Sequence, residues 1–171
     1  MEMEATQGLK KHTLSLFVSN KPGVLIRIAL VFSRRGYNID SLVVSASNDP
    51  AFSTMNIVVT GDEKGLDQIL KQLNKLVDVV HASDRTGEDI IQRELALIKL
   101  HCEDEDRSDV LQLAHALGCD IVEVTEHAIV LQLTGNTERL DSAYRVFEKY
   151  GVHEMIRTGK VLMVRGEEFT P

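Results

Sequence analysis

The sequence predicts an α+β fold built from two ferredoxin-like βαββαβ domains. Alternating and helical hydrophobic patterns follow one another as strand, helix, strand, strand, helix and strand, and this order occurs twice along the 171 residues. Short sequence motifs also recur where the third strand meets the second helix. Thr60-Gly61 and Leu66-Asp67 in the first half correspond to Thr134-Gly135 and Leu140-Asp141 in the second. Two copies of one supersecondary unit explain these repeats better than one large domain.

The first half contains every element of such a unit. Leu14, Leu16 and Val18 lie on one side of a period-two pattern over residues 13–18, which is typical of a half-buried strand. A helix over 24–32 is expected next, and Gly36 after two arginines suits the left-handed position that follows a helix. The remaining predicted elements are hairpin strands 41–46 and 54–59, a helix over 66–76 and a short strand at 77–79 or 80–82.

The second half repeats this order. Its predicted elements are a strand over 95–101, a helix over 108–117, strands over 121–125 and 128–134, a helix over 137–150 and a strand over 152–157. Residues 85–92 show little periodicity, so they are the predicted linker between a first domain, residues 12–84, and a second domain, residues 93–168.

The small size of these domains predicts assembly. Domains of roughly 75 residues are near the lower limit for folding alone. The second face of the first predicted sheet carries mainly Ser, Thr and Asn with a few apolar residues, Phe17, Val43 and Val58, and water tolerates such a face. We therefore expect a homodimer that forms through edge strands or helices.

Composition excludes several functional classes. The 19 Lys and Arg against 26 Asp and Glu give a formal charge of −7, which disfavours binding to nucleic acid or to anionic lipid. No apolar run approaches the length of a membrane span, and the acidic first residues do not resemble a secretory signal. Two cysteines are too few for a disulfide framework. We expect a soluble cytoplasmic protein.

The motifs of common enzyme and metal sites are missing. None of the six histidines has H-E-x-x-H spacing, and G-x-S-x-G, G-x-G-x-x-G and Walker sequences are absent. The nearest approach to a zinc site is His101-Cys102 with His115 and Cys119, but Gly118 ends the predicted helix there, and free cysteine is usually a small buried hydrophobic residue. We therefore expect no catalytic residue and no metal site, and we favour binding over catalysis.

A candidate binding loop runs from Asn20 to Leu25, where a strand turns directly into a helix. Pro22 fixes the turn, Gly23 lets a ligand approach the backbone, and the first N–H groups of the helix suit a carboxylate. The side-chain carbonyl oxygens of Asn20 and Asn38 suit an ammonium group, with Asn38 supplied more plausibly by a neighbouring subunit. The alternative for both asparagines is an ordinary capping or turn role.

These residues resemble the ACT domain that opens the small, regulatory subunit of acetohydroxyacid synthase, also called acetolactate synthase. The resemblance extends from about His12 to Gly166, and it rests on the joint order of several motifs. These are Asn20-Lys21-Pro22-Gly23-Val24-Leu25, Phe32-Ser33-Arg34-Arg35-Gly36-Tyr37-Asn38-Ile39, Asp49-Pro50 with Ser53 and Met55, the segment from Lys71 to Val79, Arg93-Glu94-Leu95 and Arg157-Thr158-Gly159.

The resemblance implies a subunit without catalytic activity that activates a catalytic subunit and confers feedback inhibition by valine or a related branched-chain amino acid. Thiamine diphosphate, Mg²⁺ and FAD are expected in the catalytic partner, and no cofactor is expected in this chain. The second domain is expected to contact that partner. The implied effector positions are Asn20, Gly23 and Asn38, with Pro22, Val24, Leu25 and Ile39 shaping a pocket across an ACT dimer interface.

Two departures from the family pattern and two rival hypotheses stand beside this interpretation. Thr54 replaces a common arginine, and Ala116-Leu117-Gly118 replaces Phe-Arg-Gly, so contacts made by those arginines are not carried over. A free-standing amino-acid sensor that controls transcription would share the fold, although no helix-turn-helix is visible. A small enzyme would need a catalytic constellation that the sequence does not display.

Overall fold

A computed structural model describes residues 9–168 and 170 of the chain. The predicted order of strand, helix, strand, strand, helix and strand is confirmed in both halves, and one further strand follows. The elements are β1 (Lys10–Ser19), α1 (Val24–Ser33), β2 (Ile39–Ala46), β3 (Phe52–Gly61), α2 (Glu63–Leu73), β4 (Val79–Asp84), β5 (Ile90–His101), α3 (Asp104–Leu117), β6 (Asp120–Val124), β7 (Ala128–Gly135), α4 (Thr137–Glu148), β8 (Val152–Arg157) and β9 (Val161–Val164).

The chain divides into two compact units. Of the residues described, 9–91, 160–168 and 170 form the first unit, and 92–159 form the second. The C-terminal segment from residue 160, predicted to lie in the second domain, groups with the first unit by its contacts. Arg165 Nε donates to Asp89 Oδ1 at 2.9 Å, which ties this segment to the residues that follow β4. The predicted linker is also shorter than expected, because β5 already begins at Ile90.

The first unit has an antiparallel sheet in the order β2-β3-β1-β4. Leu14, Leu16 and Val18 of β1 are buried on the same face as Met55 and Ile57 of β3, because the register pairs Leu14 with Ile57 and Leu16 with Met55. Both helices contribute to this core. The buried helical members are Val24, Ile28, Val31 and Phe32 of α1 with Leu66, Ile69 and Leu73 of α2. Each helix thus covers the same face of the sheet, as the ferredoxin-like prediction requires.

Helix α1 spans the sheet from one end to the other. Strand β1 ends at Ser19, which pairs with Phe52 of β3. After α1 the chain enters β2 at Ile39, which pairs with Val59 of β3. Ala46, at the other end of β2, pairs with Ser53. The loop before α1 and the loop after it therefore lie at opposite ends of the sheet.

A hydrogen bond joins β1 to the end of β4. His12 Nδ1 lies 2.9 Å from Asp84 Oδ2, and the Thr86 hydroxyl also donates to Asp84. Burial by itself raises the pKa of Asp84, but the hydrogen bonds from Thr86 and His12 outweigh burial and leave the pKa below its ordinary value. The carboxylate is therefore held in its charged form.

The second unit repeats the architecture with the sheet order β6-β7-β5-β8. Its core combines Ile98 of β5 and Leu131 of β7 with residues of both helices, including Val110 of α3 and Phe147 of α4. The α+β prediction of two ferredoxin-like βαββαβ folds is thus confirmed for this half as well.

A polar network is built into the second unit beside α4. Glu94 is only 6% exposed, and its Oε2 accepts hydrogen bonds from Arg157 Nε at 3.0 Å and Nη2 at 2.8 Å. Thr137 donates to the other oxygen of Glu94, and Arg157 Nη1 donates to Asp141 Oδ1 at 2.6 Å. Burial lowers the pKa of Arg157, but its carboxylate partners outweigh burial and raise it above the ordinary value. A buried carboxylate thus has a charged partner.

Two local expectations differ from the structure. Helix α3 begins at Asp104 rather than at Ser108, because acidic side chains in a first turn interact favourably with the positive end of the helix dipole. The second face of the first sheet is less exposed than we expected, since Thr13, Asn56 and Val58 are all buried. Polarity in the sequence pattern therefore did not determine exposure on this face.

Candidate functional site

The loop between β1 and α1 is hydrogen-bonded to the turn between β2 and β3. The Asn20 backbone N–H donates to the Ala51 carbonyl at 2.8 Å, and its side-chain Nδ2 donates to the Pro50 carbonyl at 3.0 Å. Asn20 does not cap the helix, because the N-cap residue is Gly23 and no side chain bonds to the helix there. Among the described residues nothing donates to the Asn20 Oδ1 atom, so this carbonyl oxygen is open to a ligand.

The N-terminus of α1 presents open backbone donors. Gly23 has a φ of +85°, a left-handed conformation that favours glycine. The Gly23 carbonyl accepts from Arg27 N–H at 3.1 Å, whereas the N–H groups of Leu25 and Ile26 have no partner within the described part of the chain. Two free donors at the positive end of a helix form a site for a carboxylate.

Arg27 adds a positive charge beside this helix end, and sequence reasoning missed it. A Cβ atom built on Gly23 would lie 3.4 Å from Arg27 Nη1, so the guanidinium lies close to the N-terminus of α1. Asp78 Oδ2 accepts from Arg27 Nη2 at 2.6 Å and holds the side chain in place. The available sequence signal was a cation one helical turn after the glycine.

Asn38 and Ile39 lie at the other end of α1. They line a groove of about 480 Å³ together with Ala29, Phe32, Ser33, Gly36 and Tyr37. Asn38 is exposed, and its side chain has no hydrogen-bond partner among the residues that the structure describes. Ile39 is half-buried and packs against the core. The groove thus offers a free amide beside small and apolar side chains.

The two asparagines are not brought together within one chain. Asn20 precedes α1 and Asn38 follows it, and a helix of ten residues is about 15 Å long. One protomer therefore carries two partial sites, and an effector that contacts both amides needs a second copy of the chain.

Tyr37 fixes the loop that carries Asn38, and this contact was also missed. The Tyr37 hydroxyl donates to Asp62 Oδ1 at 2.5 Å, while Asp62 Oδ2 accepts from the N–H of Gly65 and caps α2. The hydrogen bond to Asp62 raises the pKa of Tyr37 and lowers that of Asp62. Side chains at Gly61 or Gly65 would overlap the tyrosine ring, since added Cβ atoms would lie 2.1 Å and 1.7 Å from it or its hydroxyl. In the sequence, the available signal for this contact was the presence of Gly61 and Gly65 on either side of Asp62.

Apolar side chains on α1 and β2 are left exposed near the candidate loop. Leu25 is 44% exposed and Val44 of β2 is also 44% exposed, although Val44 shares the helix-bearing face of the sheet with Met55. Val24 is only 3% exposed and belongs to the core, so its side chain supports the loop rather than lining open space. Pro22 is exposed beside Gly23. The exposed residues form an apolar surface near the candidate loop.

Neither cysteine has the environment of a catalytic nucleophile. Burial raises the pKa of both Cys102 and Cys119, which keeps the thiols protonated. His101 Nε2 lies 2.9 Å from Glu103 Oε1 rather than in a cluster with His115. In the described ranges, 9–168 and 170, no three His, Cys, Asp or Glu side chains are grouped as a metal site. No helix in those ranges is long and apolar enough to cross a membrane.

Comparison with known proteins identifies the family. The model of the acetohydroxyacid synthase small subunit-like ACT domain matches residues 14–81, and the model of the small subunit of acetolactate synthase matches residues 93–166. A probable acetolactate synthase small subunit of Archaeoglobus fulgidus is 41% identical over 158 residues, which cover 92% of this chain and 99% of that protein. An acetolactate synthase small subunit of Mycobacterium leprae is 40% identical over 93% of this chain and 94% of its own length.

A solved structure agrees with this assignment. The crystal structure of the acetolactate synthase small subunit from Thermotoga maritima matches with a TM-score of 0.81 and 36% identity. The match covers 93% of this chain and 99% of the Thermotoga chain. Sequence and fold therefore agree over nearly the whole length, and this chain belongs to the acetolactate synthase small-subunit family.

Proposed function

We propose that this chain is a regulatory subunit that activates an acetolactate synthase catalytic subunit and makes it sensitive to valine or a related branched-chain amino acid. The chain itself has no catalytic activity in this proposal. Thiamine diphosphate, Mg²⁺ and FAD are bound by the catalytic partner. The observation that carries the effector assignment is the open N-terminus of α1, where two free N–H groups lie near Arg27 and directly follow the loop that carries Asn20.

The chemistry of this helix end supports an amino-acid ligand. The N–H groups of Leu25 and Ile26 and the Arg27 guanidinium attract a carboxylate. The open Oδ1 of Asn20 accepts from an ammonium group, and the Asn38 amide of a second copy provides the same function. A zwitterion satisfies both kinds of group at once, whereas a simple anion leaves the acceptors unused.

The proposed effector class follows from the exposed apolar surface. Burying an isopropyl group against residues such as Leu25 contributes about 1.5–3 kcal/mol, which separates valine from smaller amino acids. One methylene more or less changes binding by about 1–3 kcal/mol, so related branched-chain amino acids compete for the site. Coupling to the catalytic subunit of about 1–3 kcal/mol corresponds to a 5- to 150-fold effect.

A homodimer completes the proposed site. Asn20 and Asn38 lie at opposite ends of one helix, so a two-fold pairing with the two α1 helices antiparallel would place Asn20 of one copy near Asn38 of the other. The exposed side chains of Leu25 and Val44 provide apolar surface for that pairing. Sedimentation of the purified chain is expected to give a dimer, and effector binding is expected to be lost in a monomer.

Reconstitution tests the function as a whole. Acetolactate formation from pyruvate is measured with the catalytic subunit alone, with this chain alone and with both, at increasing valine. We expect no turnover by this chain alone, higher activity of the mixture and its loss as valine saturates. Turnover of pyruvate by this chain alone would support the small enzyme instead. Failure to bind or activate the catalytic subunit, with valine binding retained, would support a free-standing sensor.

A further inference from the structure

A second groove lies between α1 and α2, away from the candidate effector site. Its volume is about 530 Å³, and its lining residues are Val31, Arg34, Arg35, Gln72, Lys75 and Leu76. Val31 is only 9% exposed and forms an apolar floor with Leu76, while the basic residues are exposed. The groove therefore combines an apolar base with positively charged walls.

The charges of this groove lack acidic partners. Arg35 donates to the neutral amide oxygens of Gln68 at 2.8 Å and Gln72 at 3.3 Å. The side chains of Arg34 and Lys75 make no hydrogen bond or ion pair with the residues described. The chain does not lack acidic residues, since it carries 26 against 19 Lys and Arg. Three cations without acidic partners in one groove of an acidic protein can therefore bind an external anion.

Helix capping explains only part of this arrangement. Arg34 follows the last residue of α1 and Lys75 follows α2, where a cation interacts favourably with the C-terminal carbonyl groups. Capping does not explain Arg35, which crosses to α2 and is oriented by two amides. A guanidinium has five N–H donors, and the amides engage only two, so further donors remain for a carboxylate.

The position of the groove separates it from the proposed dimer contacts. Val31 and Arg34 lie on the flank of α1 that faces α2, whereas Ala29 and Ser33 lie on the flank that faces the Asn38 groove. The groove is thus free for a different protein when two copies pair through the Asn38 side.

We propose that this groove docks an acidic amphipathic segment of the catalytic subunit. Carboxylates of that segment pair with Arg34, Arg35 and Lys75, and an apolar side chain packs on Val31 and Leu76. This inference rests on the proposed function. Contacts between exposed charges act over distance and weaken as salt screens them, so docking here accelerates association and is sensitive to ionic strength.

Charge reversal in the full-length chain tests the proposal. Arg34→Glu with Lys75→Glu is compared with Lys10→Glu plus Lys64→Glu, a control with the same change in net charge at exposed lysines outside the groove. We expect the groove variant to raise the concentration of this chain that half-activates the catalytic subunit at least tenfold, and to reduce its dependence on salt. The control variant and the valine affinity measured by calorimetry are expected to stay unchanged.

Three further outcomes decide the proposal. Unchanged half-activation by the groove variant, with the unmodified chain still activating, overturns the docking site and leaves the regulatory function standing. A shift in the dimer equilibrium with no change in half-activation assigns the groove to a second copy and also overturns it. Arg34→Gln with Lys75→Gln removes the charges without introducing acids, and a smaller shift in the same direction, at an unchanged melting temperature, supports docking over misfolding.

Discussion

Replacing Gly23 with aspartate separates effector binding from partner binding. The new carboxylate would lie beside the open N–H groups of Leu25 and Ile26 and near Arg27, where the carboxylate of an effector is proposed to bind. We expect Gly23→Asp to abolish inhibition by valine while activation of the catalytic subunit is retained.

The magnitude follows from the contacts at the helix end. Each hydrogen bond to a charged group is worth about 1.5–3 kcal/mol, so loss of two weakens binding by about 3–6 kcal/mol, or at least a hundredfold. The cost to folding is smaller. The added Cβ meets Arg27 Nη1 at 3.4 Å, an ordinary contact, and a non-glycine residue in the left-handed region costs about 1–2 kcal/mol.

The assay pairs calorimetry with inhibition kinetics. The control is Gly87→Asp, because Gly87 has a similar φ of +78°, has no neighbour within 4 Å of an added Cβ and lies far along the chain from the loop. We expect Gly87→Asp to show a similar loss of stability with normal inhibition. Retained valine binding by Gly23→Asp would refute the carboxylate site at α1, and loss of inhibition in both variants would attribute the effect to backbone strain.

The remaining predictions concern the second amide and two hydrogen-bonded carboxylates. Asn38→Ala should weaken valine binding by about 1–3 kcal/mol, and an unchanged dissociation constant in calorimetry would remove Asn38 from the site. Arg157→Leu should destabilise the chain by about 3–5 kcal/mol in urea denaturation because Glu94 loses its cation, and adding Glu94→Gln should recover part of this, whereas strictly additive losses would contradict the network. The depressed pKa of Asp84 contributes stability that is present above about pH 4 and lost as pH falls through the folded-state pKa, so Asp84→Asn should lower stability at neutral pH and flatten its loss in acid. An unchanged acid limb in denaturation curves would contradict a stabilising role for the hydrogen bonds from Thr86 and His12 to Asp84.

The sequence predicted regular elements wherever side chains alternated or repeated at helical spacing. The alternation of β1 and β3 and the apolar stripes of α1 and α2 identified four elements of the first unit. It did not predict β9, because four apolar residues in a row carry no periodicity. The polar residues Gln92 and Arg93 obscured the early start of β5 in the same way.

The candidate site was predictable where its chemistry is local. Asn20 and Gly23 stand in one loop, so their amide and backbone donors could be inferred from neighbouring residues. Tyr37 and Asp62 are 25 residues apart, and their hydrogen bond depends on how α2 packs beside the loop after α1. Arg27 is oriented by Asp78, 51 residues away. Contacts of this kind depend on tertiary packing, and no pattern along the chain specifies them.

The two amides lie beyond opposite ends of a helix about 15 Å long, and this separation affects how ligand binding depends on protein concentration. If a pair of protomers assembles two equivalent clefts, each half from a different chain, then the ligand and the association of protomers are thermodynamically linked. Dilution of the protein would reduce its apparent affinity for the ligand, and saturating ligand would hold pairs together at concentrations where bare chains separate. Sensitivity to the end product would then depend on how much of this polypeptide the cell makes.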